Sequence, residues 1–86
     1  MNYEVHLSSN AYSFLRRLEK GYRTRIIGKL EMLSREPYMK DVKKIAGRKE
    51  SLFRVRVGPY RILYEVLEEK KVILVIKIDK RSRVYR

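Results

Sequence analysis

Residues 52–64 predict a β-hairpin, and this stretch constrains the fold more than any other part of the chain. Its first half alternates apolar and charged side chains with a period of two, which is typical of a strand with one buried face; the apolar positions are Phe53, Val55 and Val57. Gly58-Pro59 predicts a tight turn, because Gly accepts a positive φ and Pro fixes the next φ at about −65°. The return strand alternates again, with Tyr60, Ile62 and Tyr64 on its apolar side.

The other side of the predicted hairpin carries Arg54, Arg56 and Arg61. A strand that only had to stay soluble could use Thr, Ser, Lys or Glu at these positions. A guanidinium is planar, permanently charged and suited to bidentate binding of phosphate. The hairpin therefore favours a rigid phosphate-binding surface.

Charge clustering supports the same interpretation. Of the net charge of +12, residues 40–61 contribute +6 (eight Lys and Arg, two acids) and residues 77–86 contribute +4 (five basic residues, one acid). Such clustering is typical of a polyanion-binding face, and nucleic acid is the expected partner. An acidic protein partner is the second possibility. A surface that only had to stay solvated would not need clustered charge, because scattered charge would serve that purpose equally well.

Length and composition exclude several classes of protein. A chain of 86 residues predicts one domain, 1–86, with one modest core. The absence of Cys excludes disulfides and Cys-based zinc sites, and a single His excludes a His-rich metal site. No apolar run approaches the roughly 18 residues of a membrane span, and the N-terminus lacks a secretion signal. We expect a cytoplasmic protein with no membrane association and no cofactor.

Upstream of the hairpin, the pattern predicts one strand and two helices. Residues 2–7 alternate as a strand does, and Ser8, Ser9 and Asn10 are N-cap candidates for the first helix. Gly21 is the expected end of that helix. The second helix is predicted from about Tyr22 to Arg35 and ends before Pro37, because the residue before a proline is pushed away from helical geometry.

Downstream, residues 38–51 predict a polar, basic connection, and residues 68–71 a turn. Residues 72–76 are uniformly apolar, which favours a central strand covered on both faces. Residues 77–86 form a basic tail. The predicted order is β-α-α-β-β-β, an α+β fold with a twisted, mainly antiparallel sheet and a helical hairpin packed on one face.

Only the basic residues remain as candidates for chemistry. A phosphate loop, a serine elbow and clustered carboxylates are all missing from the sequence. His6 is expected on the surface, and Glu65 is expected to pair with a cation on a neighbouring strand, with a general-base role as the alternative. Several guanidiniums around a phosphodiester can stabilise the extra charge of its transition state, and no metal is required if the 2′-hydroxyl of RNA is the nucleophile. Tyr85 could stack on a base or transfer a proton. These residues fit an RNA-binding protein and a metal-free ribonuclease equally well.

Three stretches resemble the RelE/ParE toxin superfamily: Lys44–Gly47, residues 53–64 and residues 80–85. The resemblance covers essentially the whole chain and implies the same β-α-α-β-β-β fold. The basic tail with its tyrosine is similar to the RelE branch. It implies the toxin of a type II toxin–antitoxin pair, a ribosome-dependent mRNA endonuclease that cleaves through the 2′-hydroxyl and inhibits translation. The alternatives are a ParE-like DNA gyrase inhibitor and a non-catalytic RNA-binding module.

The resemblance also implies roles for individual residues. Arg61 and Arg81 would stabilise the scissile phosphate, Arg54 and Arg56 would position the RNA, and Tyr85 would stack or transfer a proton. Further RNA contacts are expected from five basic residues: Lys43, Lys44, Arg48, Lys80 and Arg83.

The strand positions depart from the family pattern, since RelE toxins often have lysines where this chain has Arg54 and Arg56. Arginine cannot act as a general base because it does not lose its proton. The base would then be Tyr85, Lys80 or a group of the ribosome. The implied partners are the ribosome, mRNA and a cognate antitoxin with an acidic or amphipathic helical segment, and DNA only through that antitoxin.

Overall fold

A computed structural model describes residues 2–45 and 51–80. In these ranges the chain forms two helices and five strands. They are β1 (Glu4–Leu7), α1 (Ser9–Arg17), α2 (Lys20–Arg35), β2 (Lys43–Lys44), β3 (Leu52–Val57), β4 (Tyr60–Leu67) and β5 (Val72–Lys80). The predicted α+β fold is confirmed, with one addition. The short strand β2 lies in the segment predicted as a plain connection, where Lys43 pairs with Arg54 of β3.

The described strands form one mixed sheet in the order β1-β5-β4-β3-β2. The β1–β5 pair is parallel, and the other neighbours are antiparallel. The hairpin of β3 and β4 is confirmed, since Val57 pairs with Tyr60 across Gly58-Pro59. Gly58 has a φ of 57°, so this turn needs the conformational freedom of glycine.

Both helices pack on one face of the sheet, where alternate strand residues form the core. Each helix turns apolar side chains toward the sheet: Ala11 and Leu15 of α1 are buried, and so are Ile26, Leu30 and Leu33 of α2. Ser8 is the N-cap of α1, and its hydroxyl accepts a hydrogen bond from the Ala11 amide at 3.1 Å. In the described part of the chain, no helix is long and apolar enough to cross a membrane.

The predicted end of α1 at Gly21 is wrong. The helix ends at Arg17, and Gly21 lies in the first turn of α2. The Arg23 guanidinium donates hydrogen bonds to the carbonyls of Arg16 (3.2 Å) and Leu18 (2.8 Å). These carbonyls at the end of α1 therefore have a partner without a glycine cap.

The prediction that residues 72–76 are covered on both faces is also wrong. Strand β5 is central, and Ile73 and Val75 are completely buried beneath the helices, but Leu74 is only half-buried. No described helix covers the other face, which we call the open face. On this face, Leu74 pairs in register with His6 of β1 and Glu65 of β4.

Glu68 connects three separate parts of the chain. Its carboxylate accepts hydrogen bonds from the hydroxyls of Tyr3 (2.9 Å) and Tyr38, and it lies 3.4 Å from the Lys71 ammonium. The hydrogen bonds from the two tyrosines hold the pKa of Glu68 below its ordinary value. The β4–β5 turn is thereby fastened to the N-terminal segment and to the loop after α2.

Candidate functional site

The open face of the sheet carries the three hairpin arginines. Arg54 pairs in register with Leu63, and Arg56 pairs with Arg61. The alternate pairs, such as Val55 with Ile62, point into the core. Because neighbouring strands pleat together, the guanidiniums lie on the face that the helices leave open, as the sequence pattern predicts.

Arg61 is held by an acidic residue of the next strand. Its Nε and one terminal nitrogen lie 3.2 Å from Oδ1 and Oδ2 of Asp79, respectively, and both side chains are half-buried. Asp79 lies directly opposite Arg61 in the β4–β5 register, and the Lys77 ammonium is 3.8 Å from its carboxylate. This fork geometry is typical of a strong, directional ion pair. It also offsets the repulsion between Arg61 and its like-charged cross-strand neighbour Arg56.

These residues line a cavity of about 220 Å³ on the open face, which we call the arginine cavity. Its lining residues are Ile45, Arg54, Arg61, Leu63, Lys77 and Asp79. Three cations and one carboxylate give the cavity a positive balance, and Ile45 and Leu63 add apolar surface. This balance of charge fits one phosphate of a polyanion.

A second cavity of about 400 Å³ is lined mainly by basic residues, and we call it the lysine cavity. Its lining residues are Lys40, Asp41, Lys43, Arg54, Val55 and Arg56. Arg54 lines both cavities, so the two are adjacent. The Lys29 ammonium donates a hydrogen bond of 2.8 Å to Asp41 and thereby holds the pKa of this carboxyl below its ordinary value. The remaining charges of the lysine cavity are all positive.

The structure brings some of the predicted site residues together and separates others. Arg54 and Arg61 share the arginine cavity, and Arg56 and Lys43 line the lysine cavity. Lys44 pairs in register with Phe53 and therefore lies on the helix-facing side of β2, away from Lys43. Lys80 is exposed at the end of β5 and lines neither cavity. Four predicted site residues lie outside the described residues: Arg48, Arg81, Arg83 and Tyr85.

Four charged cavity residues were missing from the sequence prediction: Lys40, Asp41, Lys77 and Asp79. The two lysines belong to the basic clusters, so their charge was a usable signal. Asp79 gave a weaker signal, as the one acidic residue among residues 77–86.

The two isolated candidates for acid–base chemistry lie outside both cavities. His6 is exposed, as predicted, with its Nε2 3.0 Å from a Glu4 carboxylate oxygen. Glu65 is half-buried and accepts a hydrogen bond of 3.3 Å from the Ser51 hydroxyl.

Comparison with known proteins gives consistent matches over most of the chain. The family model for the ParE toxin of the type II toxin–antitoxin system, parDE, matches residues 5–85. A RelE1 protein of Methanocaldococcus jannaschii is 35% identical over 60 residues, which span 66% of each of the two chains.

Solved structures agree with this match. A chain of the archaeal RelE–RelB complex from Pyrococcus horikoshii superposes with a TM-score of 0.86 at 32% identity, covering 98% of this chain and 100% of that one. The isolated RelE toxin of Escherichia coli gives a TM-score of 0.83 at 25% identity, covering 94% and 86% of the two chains. Both structures are similar to this chain over nearly its full length.

Proposed function

The chain belongs to the ParE toxin family of type II toxin–antitoxin systems, within the RelE/ParE superfamily, and from this premise we propose that it is a RelE-like mRNA endonuclease. It acts on messages bound to the ribosome and stops translation. Residues 1–86 form its single toxin domain, and its target makes it a cytoplasmic protein. The observation that carries this proposal is the convergence of Arg54, Arg61 and Lys77 on one cavity of the open face.

The proposed reaction needs only RNA and this basic surface. The 2′-hydroxyl oxygen attacks the adjacent phosphorus as it loses its proton, and the bond from phosphorus to the 5′-oxygen breaks. The products are a 2′,3′-cyclic phosphate and a 5′-hydroxyl, which takes up a proton. Negative charge accumulates on the phosphoryl oxygens in the transition state, where preorganised cations are most effective. Because the nucleophile is part of the substrate, no metal-bound water is required.

The positions of the side chains support the following roles. Arg61 and Arg54 in the arginine cavity stabilise the scissile phosphate. The lysine cavity holds a neighbouring phosphate through Lys40, Lys43 and Arg56 and thereby fixes the path of the RNA strand.

The remaining roles rest on the resemblance to RelE toxins alone. Arg81 acts with Arg61 on the scissile phosphate, and Tyr85 stacks on a base or transfers a proton. Lys44, Arg48, Lys80 and Arg83 add further RNA contacts. The general base is Tyr85, Lys80 or a group of the ribosome.

A cognate antitoxin is the proposed protein partner. The similar chain from Pyrococcus horikoshii was solved in a RelE–RelB complex. A surface with a net charge of +12 is complementary to an acidic or amphipathic helical segment, which would cover the basic face and block RNA. Any contact with DNA would be made through the antitoxin.

The test is induction of the chain in cells, followed by primer extension on an abundant translated message. Arg61→Ala and Arg81→Ala are compared with Arg17→Ala, which removes the same charge from the exposed end of α1. We expect cuts inside translated codons with the unmodified chain and with Arg17→Ala. In the other two variants, cleavage of the message should fall about 100-fold or more. Growth arrest with intact messages and broken DNA would replace this proposal with gyrase inhibition. Intact messages without growth arrest would also contradict it.

A further inference from the structure

The carboxylate of Asp79 lies in the arginine cavity, beside the proposed site of the scissile phosphate. A negative charge there opposes the binding of a polyanion. Asp79 takes no part in the proposed reaction, and its two neighbours Arg61 and Lys77 are cations. Its position therefore calls for a separate explanation.

We infer that Asp79 is a positioning residue, which fixes the guanidinium of Arg61 in the orientation that the transition state requires. This inference rests on the proposed function. Asp79 acts through Arg61 rather than on the RNA itself.

The geometry of the pair supports this role. Two parallel contacts of 3.2 Å hold the edge of the Arg61 guanidinium and restrict its rotation. Both residues are carried by paired central strands, so neither end of the contact depends on a loop. A long side chain that is ordered in advance does not have to lose its freedom when the substrate arrives.

The position of Arg56 adds to the effect of Asp79 on Arg61. Arg56 lies directly opposite Arg61 in the β3–β4 register, and two like charges in this position repel each other. Asp79 lies opposite Arg61 on the other neighbouring strand, so its attraction acts in the same direction as the repulsion from Arg56, toward β5. Without the carboxylate, the Arg61 guanidinium would lose its two fixed contacts and would be repelled from both sides, by Arg56 of β3 and by Lys77 of β5.

This role has a signature that a purely structural role lacks. Asp79 repels the phosphate in the ground state while it orients Arg61 for the transition state. Removing its charge should therefore leave RNA binding unchanged or make it tighter, and should slow the cleavage step. Loss of folding would reduce both.

The experiment uses programmed ribosomes with a message in the A site. Single-turnover cleavage is measured at saturating toxin, and binding is measured with a message whose 2′-hydroxyl at the cleavage site is replaced by hydrogen. The variants are Asp79→Asn, which keeps the size of the side chain, Asp79→Glu, Arg61→Ala and the double variant of Arg61→Ala with Asp79→Asn. Thermal melting shows that each variant is folded.

We expect Asp79→Asn to cleave about 100-fold more slowly with unchanged or tighter binding, because a displaced catalytic group has an effect of this order. Asp79→Glu should recover part of the rate, since it can still form the ion pair. In the Arg61→Ala background, Asp79→Asn should cause no further loss.

Two results would overturn the inference while leaving the proposed function intact. One is a cleavage rate of Asp79→Asn equal to that of the unmodified chain. The other is that Asp79→Asn lowers the cleavage rate by the same factor in the Arg61→Ala background as in the unmodified chain. Asp79 would then act independently of Arg61. Failure of the unmodified chain to cleave the message would instead reject the proposed function, and the inference with it.

Discussion

Replacing Tyr64 by Phe should destabilise the fold by removing one buried hydroxyl. Tyr64 is completely buried in β4, and its hydroxyl donates a 2.7 Å hydrogen bond to the carbonyl of Pro37. Pro37 begins the loop that leads from α2 to Lys40 and Lys43 of the lysine cavity. The hydrogen bond therefore fastens this loop to the strand that carries Arg61.

The expected magnitude follows from what the substitution leaves behind. The ring of Tyr64 stacks on that of Phe53, with 5.9 Å between the ring centroids, and a phenylalanine ring would keep this contact, so little packing is lost. The Pro37 carbonyl loses its partner in a buried environment, which costs about 1–3 kcal/mol. We expect the free energy of unfolding in urea to fall by about 1–2 kcal/mol at pH 7.

Tyr60→Phe is the matched control. Tyr60 is also buried on β4, its ring contacts Phe14 and Tyr22 edge-on, and its hydroxyl makes no hydrogen bond within the described part of the chain. Its replacement should change the stability by less than about 0.5 kcal/mol. Equal effects of the two substitutions would refute the argument that the Tyr64–Pro37 hydrogen bond stabilises the fold.

High pH provides a second test of the same residue. Burial raises the pKa of the Tyr64 hydroxyl above its ordinary value of 10.0. A raised pKa in the folded state contributes stability that is fully present below pH 10 and is lost as the pH rises further, because only the unfolded chain ionises readily there. The stability difference between the unmodified chain and Tyr64→Phe should therefore shrink above pH 10. A constant difference would show that the hydroxyl does not titrate as a buried group.

Two further substitutions test the turn and the site. Gly58→Ala should lower the unfolding free energy by about 1–2 kcal/mol, because Gly58 has a φ of 57° and a Cβ would lie 3.3 Å from the Arg25 guanidinium. Gly21 in α2 has open space around it, so the control Gly21→Ala should be neutral or slightly stabilising in thermal melting. Similar losses of stability in the two variants would show that the turn at Gly58 does not require glycine. Arg54→Ala should slow single-turnover cleavage about 100-fold, whereas Arg17→Ala, which removes the same charge from the exposed end of α1, should change it by less than about threefold. Equal losses would mean that net charge, and not the cavity, determines activity.

Local sequence patterns were sufficient for most of the fold. The alternation in residues 53–64 and the turn at Gly58-Pro59 predicted the hairpin, because a period of two and a positive φ are local properties of a few residues. The same alternation placed Arg54, Arg56 and Arg61 on one face. The start of α1 after Ser8 and the end of α2 before Pro37 were equally local, because a capping side chain and a proline act on their immediate neighbours.

The errors arose where the answer depended on distant residues. Gly21 was expected to end α1, but the carbonyls at that helix end are capped by Arg23 from the next helix. The apolar run of β5 was expected to be covered on both faces, but both helices pack on the same side of the sheet. Neither the partner of a carbonyl nor the number of covering layers is encoded in a short window of sequence.

The arginine cavity shows most clearly what only the tertiary structure decided. The turn at residues 68–71 pairs Leu67 with Val72, and an uninterrupted ladder from there would set Arg61 opposite Ile78. A register shift of one residue between Leu63 and Tyr64 sets it opposite Asp79 instead. Sequence determined that a basic hairpin would form, because side-chain alternation is local. The acidic partner of Arg61 was decided by the register of β4 and β5. One extra residue in a strand reverses the face of the sheet to which each later side chain of that strand points.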